Sequence, residues 1–149
     1  IGWRNPELME YMMQNDLEII RELYNAAEGK TLDLNRFTSF FSDEGYVLNV
    51  PAEMEFRGEN IVMVASGMAA AFPDVHREIF STYTMNGTVV VELAIRGTHT
   101  GELVTPEGTL APTGKTIDVP CCDVFHIENG KIISFHCYNA ASIMQQQLN

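Results

Sequence analysis

Positive charge is scarce in this chain: 9 Lys and Arg stand against 20 Asp and Glu in 149 residues, a formal net charge of −11. Such a surface lacks the basic footprint that nucleic-acid phosphates demand and is repelled by anionic membranes, so neither is expected as a partner. Long hydrophobic runs are missing too. No uninterrupted apolar stretch reaches the ~18 residues needed to span a bilayer, and no charged n-region followed by an apolar core marks a secretory leader. The chain opens on Ile1 rather than Met, so a few preceding residues are expected. Cysteine is limited to three residues, two of them adjacent. An odd, clustered set does not make a disulfide framework; it points to a reducing compartment, hence to the cytoplasm, with the thiols read as small buried side chains.

Signatures of borrowed chemistry are equally sparse. No HxH or HExxH spacing occurs, so no metal is expected. Neither GxGxxG nor GxxxxGK appears, and Gly108 to Lys115, the nearest approach, is one residue too long and carries Pro112. No cofactor is therefore expected. A nucleophilic cysteine is disfavoured because Cys121 shares a strand face with Asp123, whose negative charge raises a thiol pKa.

What is present reads as one domain, 1–149, long enough to bury a sizeable core. Asn5-Pro6 is a helix start, and apolar residues recur at helical spacing to about Ala27, with Asn15-Asp16 as a candidate division into two helices. Met9, Met12 and Met13 read as core filling. A second helix is expected over Asp33 to Phe41, a short strand over Tyr46 to Val50, and a third helix from Gly58 to about Phe72, stopped by Pro73. Two long hairpins follow. Val75–Thr84 and Thr88–Thr100 flank Asn86-Gly87, with Phe80 expected opposite Leu93 and Thr82 opposite Val91. The second hairpin spans Thr116 to Asn139 about Asn129-Gly130, since Asn-Gly suits the positive φ of a tight type I′ turn. Gly101 to Gly114 reads as a loop and Ala140 to Leu148 as a terminal helix. Helices first and then a meander of strands define an α+β fold with helices on one face of a curved antiparallel sheet.

A two-residue turn at Asn129-Gly130 sets the register of the second hairpin: Phe125 opposite Ser134, Asp123 opposite His136, Cys121 opposite Tyr138. A carboxylate and an imidazole then share a largely apolar face. Asp123 can fix the tautomer of His136 as a general base, and Tyr138 can donate to a developing oxyanion. The plainer alternative is that Asp123 and His136 satisfy each other inside the sheet and never meet a ligand. His99, after Gly97, and Tyr83 are further candidates near the pocket, while His126 and His76 read as surface or interface residues. Val124, Ile133, Phe135 and Cys137 occupy the other strand face, with Cys122 and Cys137 across from each other. That second apolar face points to dimerisation through the sheet.

Five strings in order, Ala71-Phe72-Pro73-Asp74, Gly97-Thr98-His99-Thr100-Gly101, Pro112-Thr113-Gly114-Lys115, Asp123 to Ile132 and Gln147-Leu148, resemble the SnoaL-like polyketide cyclase and ester cyclase family. The resemblance implies the cone-shaped, cystatin-like α+β fold of nuclear transport factor 2 and ketosteroid isomerase, with a strongly curved mixed or antiparallel sheet around an internal pocket. It also implies homodimers, a small apolar carbonyl or polyketide-like ligand, and cofactor-independent cyclisation, isomerisation or hydrolysis by proton transfer. Phe40, Tyr46, Leu93 and Phe125 join His99 and Tyr83 as expected pocket residues. Aligning from Gly130-Lys131 and from Gln147-Leu148 puts the family's acid at Ala140, after Asn139, and neither exchanges a proton at useful pH. Two functions stay open: an acid–base enzyme using Asp123, His136 and Tyr138, and a binding or dimerisation domain that has lost the family acid.

Overall fold

Asn5 caps the first helix through its side chain, which accepts from the amides of Glu7 and Leu8, and Pro6 occupies the first helical position. The computed structural model describes residues 5–149, so the first four residues of the expected domain lie outside it. Helix α1 (Pro6–Ala27) runs unbroken through Asn15-Asp16. Its second half buries Ile20, Leu23, Tyr24 and Ala27, the i, i+3, i+4, i+7 stripe of a helix lying on a core. The first half does not. Leu8, Tyr11 and Met12 are exposed and Met9 and Met13 only half-buried, so these methionines do not fill the core as expected.

Helix α2 (Leu34–Ser39), capped by Asp33, leads into strand β1 (Phe41–Asn49), which starts earlier than expected. A short strand missed in the sequence, β2 (Met54–Arg57), pairs antiparallel with β1. A 3-10 turn (Gly58–Ile61) then enters helix α3 (Val62–Ala71). The first long hairpin is β3 (His76–Met85) and β4 (Thr88–Thr98). Thr82 faces Val91 as expected, but Ile79 and not Phe80 faces Leu93, because the ladder shifts between Ile79 and Ser81 and leaves Phe80 as the extra residue of a bulge. The expected loop contains a small hairpin, β5 (Leu103–Thr105) and β6 (Gly108–Leu110). The second long hairpin, β7 (Thr116–Glu128) and β8 (Lys131–Asn139), precedes helix α4 (Ala141–Leu148).

The six long and edge strands form one sheet in the order β2-β1-β8-β7-β4-β3. It is mixed: β1 runs parallel to β8 while every other neighbour is antiparallel. The fold is α+β as expected. The main core lies between the inner sheet face and helices α1 to α3, with Leu23, Tyr24, Phe37, Val91, Leu93, Phe125 and Ile132 buried together. Each such large apolar side chain contributes roughly 1.5–3 kcal/mol by leaving water. A second cluster, built on Phe72, Val75, Ile117, Val119 and Leu148, closes the far end beneath β5 and α4. No helix among the described residues is long and apolar enough to cross a membrane.

Candidate functional site

The hairpin turn is the expected one, with φ of 51° at Asn129 and 74° at Gly130. Glu128 faces Lys131 and Ile127 faces Ile132, but the ladder then shifts, so His126 faces Ser134 and Ile133 has no partner of its own. Every residue beyond the shift moves to the opposite face. Asp123 therefore faces Cys137, Val124 faces His136, Cys122 faces Tyr138 and Cys121 faces Asn139. Burial explains why the shifted register wins. It buries Phe135 to 5% exposure, 4.3 Å from the Phe125 ring centroid, whereas the unshifted ladder would turn that phenyl outward.

The expected Asp123, His136 and Tyr138 set is thus not brought together. His136 and Tyr138 lie on the outer face, where Tyr138 is exposed and His136 Nε2 is 3.0 Å from the Tyr46 hydroxyl. Tyr46 in turn carries the Arg57 guanidinium over its ring. Of the expected pocket residues, Tyr83 is also exposed there, donating to Glu92 at 2.7 Å. Leu93 and Phe125 do line the inner face beside Asp123, and Phe40 packs half-buried at the edge of the main core. His99 is wholly buried, but in the second cluster against Phe72. Its Nδ1 accepts from the Thr113 amide, and its Nε2 has no partner among the described residues.

Asp123 sits at the centre of a different constellation. It is 3% exposed, and its Oδ2 accepts from the Tyr24 hydroxyl of α1 at 2.7 Å. The Cys121 thiol donates to Oδ1 at 3.2 Å and lies 3.6 Å from the Cys137 sulfur. Asn139 extends the chain, its amide donating to the Cys137 sulfur and to Asn49 Oδ1. Burial raises the Asp123 pKa, against the hydrogen bonds from Tyr24, Cys121 and Cys137 that favour the ionised form. Burial followed by the Asp123 charge pushes the Tyr24 phenol well up. The Cys121 thiol is pushed up by its hydrogen bond with Cys137, then by burial and by Asp123. Tyr24 was missed in the sequence, although a tyrosine on the buried stripe of a helix, one turn after Ile20, needs a partner for its hydroxyl.

At the end of β8 a cleft of ≈ 420 Å³ is lined by Pro51, Glu92, Pro120, Cys121, Cys122, Tyr138, Asn139 and Ala140. Glu92, Cys122 and Tyr138 are neighbours on the outer sheet face, whereas the Cys121 thiol turns inward to Asp123. The position aligned with the family acid, Ala140, borders this cleft together with Tyr138, and Asp123 does not. A larger hollow of ≈ 600 Å³ lies between α1 and the two Asn-Gly turns, lined by Asp16, Glu22, Ile127 and Asn129 among others, and none of the expected site residues borders it.

The sequence profile of the SnoaL-like polyketide cyclase family matches residues 18–147. The chain belongs to the SnoaL-like family. Comparison with curated proteins gives no significant match. Among solved structures, a candidate SnoaL-like polyketide cyclase from Jannaschia sp. CCS1 superposes with a TM-score of 0.79 at 15% identity, covering 92% of this chain and 93% of that one. A hypothetical protein of ketosteroid isomerase-like fold from Catenulispora acidiphila DSM 44928, in complex with trimethylamine, gives a TM-score of 0.72 at 21% identity over 87% and 91% of the two chains. An epoxide hydrolase of the LEH-like type from M. tuberculosis gives 0.68 at 14% identity over 91% and 90%. These likenesses place the SnoaL-like chain in the ketosteroid isomerase-like fold, which carries several chemistries.

Proposed function

We propose that this SnoaL-like protein binds a small, mostly apolar carbonyl compound in the cleft beside Asn139 and Ala140, and polarises it through the Tyr138 hydroxyl. The observation that carries this reading is that Tyr138, exposed on the outer face, borders the cleft together with Ala140, the position aligned with the family acid. A ligand carbonyl set against the Tyr138 hydroxyl meets a hydrogen-bond donor, which stabilises negative charge developing on its oxygen. Tyr24, Asp123 and the Cys121 thiol form a separate buried group on the inner face. His136, bonded to Tyr46, takes no part.

Ala140 favours a second reading, in which the cleft binds without catalysis because no side chain at the family position removes a proton. One experiment separates the two. Backbone amide shifts would be followed by NMR against a panel of aromatic, polyketide-like ketones in deuterated buffer, with α-deuterium uptake by the ketone measured in parallel. Shifts at Cys121, Asn139 and Ala140 with uptake that falls in Tyr138→Phe support the enzyme. The same shifts without uptake support the binder, and no shift at these amides removes both.

We also propose a homodimer through the outer sheet face, where Phe80, Tyr83 and Tyr138 are exposed beside half-buried Val90 and Val124.

A further inference from the structure

We propose that Cys121, Asp123 and Cys137 form a binding site for a thiophilic divalent cation, with Zn²⁺ as the type ligand. The three donor atoms, two sulfurs and a carboxylate oxygen, all lie within 4.8 Å of one another. Strand periodicity turns Cys121 and Asp123 to the same face, and the shifted ladder sets Cys137 directly across from Asp123. The spacing already suits a metal. For Zn–S bonds of ~2.3 Å, a tetrahedral edge between two sulfurs is about 3.8 Å, and Cys121 Sγ and Cys137 Sγ stand 3.6 Å apart.

The same geometry disfavours a disulfide. Cys121 faces Asn139 while Cys137 faces Asp123, so the two cysteines are diagonal rather than opposed. Diagonal pairs are separated by roughly 7–8 Å, beyond the usual Cα span of a relaxed S–S bridge. A metal ion fills the gap that a covalent bond cannot close without moving the backbone.

The surrounding groups act as outer supports do around metal ligands. Tyr24 donates to the second oxygen of Asp123, leaving Oδ1 turned toward Cys121. Asn139 donates to Cys137 Sγ at 3.4 Å and is itself held by Asn49. Two sulfurs select a soft or borderline ion over Mg²⁺ or Ca²⁺. Ligation displaces a proton from each thiol to solvent, so the charge of the buried site changes little. Three protein ligands leave a fourth position for water or a small ligand. This proposal goes beyond the carbonyl-binding reading and does not depend on it, because its test reads metal and thiols only.

The test is titration of the reduced full chain with Co²⁺ under anaerobic conditions. One equivalent should produce thiolate-to-cobalt charge-transfer absorption and tetrahedral ligand-field bands, both erased by Zn²⁺. Cys121→Ser and Cys137→Ser should each weaken binding by at least about 10-fold, and Tyr24→Phe by roughly 10- to 100-fold, the usual cost of an outer support. Cys122→Ser, whose side chain lies on the other face, should bind as the parent does. Absence of the charge-transfer band, or its survival in both Cys121→Ser and Cys137→Ser, overturns the site. A second readout on the unmodified chain covers the case in which a variant does not fold. Zn²⁺ should slow alkylation of Cys137 relative to Cys122, located by peptide mass spectrometry, and equal rates with and without Zn²⁺ overturn the proposal.

Discussion

Asp123 and Cys137 are direct partners across β7 and β8, and Tyr24 of α1 closes the group from above through a 2.7 Å hydrogen bond to Asp123. A buried carboxyl group that loses a donor keeps its desolvation cost. Tyr24→Phe should therefore destabilise the chain by about 1–3 kcal/mol. Urea unfolding checks this, and an unchanged midpoint with an unchanged slope would show that Asp123 does not depend on Tyr24.

Asn129 holds a left-handed backbone, φ 51°, at the first turn position of the β7–β8 hairpin. Asn129→Ala should cost about 1–2 kcal/mol, because a Cβ is disfavoured there and alanine cannot bond locally as asparagine does. Asn129→Gly should be close to neutral. Thermal denaturation of the two variants side by side gives the comparison, and equal melting temperatures would count against a strained turn.

Gly101 sits where the backbone of the Gly97–Gly101 segment meets the end of α3; its amide bonds to Ala71 O at 3.1 Å, and a Cβ would overlap the Ala70 carbonyl. The space is closed by backbone, which cannot rotate away. Gly101→Ala should cost at least about 1–3 kcal/mol, with each kcal/mol lowering Tm by roughly 2–4 °C. A variant that melts with the parent would mean that α3 and this segment separate easily.

His76 lies between two carboxylates, Glu78 and Glu28, each 2.7 Å from a ring nitrogen. The bond to Glu78, then the bond and charge of Glu28, raise its pKa over the opposing effect of burial. A raised folded-state pKa stabilises below the unfolded value of about 6.5, and that contribution is lost as pH rises through the folded value. His76→Gln should flatten the decline in stability above about pH 6.5. A parent curve that is already flat there would rule out a stabilising charge on His76.

The outer sheet face exposes Phe80 at 60%, Tyr83 at 54% and Tyr138 at 48%. Sedimentation at micromolar concentration should show a dimer, and Phe80→Asp with Tyr138→Asp should shift it to monomer. A parent that sediments only as a monomer refutes the interface.

Much of this protein was legible in its residues because the signals were local. Asn5-Pro6, Asp33, Asn86-Gly87 and Asn129-Gly130 begin helices or close hairpins through their own backbone preferences, and the order of elements implied the α+β fold. The presence of Asp123 and Phe125 on the inner face followed from period-2 alternation alone. The partner of Asp123 did not. Whether His136 or Cys137 stands across from it depends on one extra residue near Ile133, and no local preference encodes that bulge. It arises because the packed core takes Phe135 against Phe125, a contact whose free energy exists only once helices and sheet have closed. Tyr24 was placed on a buried stripe by helical spacing, but its hydroxyl found Asp123 across 99 residues of chain only when α1 settled on the sheet. Sequence determined which faces exist and what they carry; tertiary packing decided which residues meet, because register and long-range contact are settled by burial summed over the whole core.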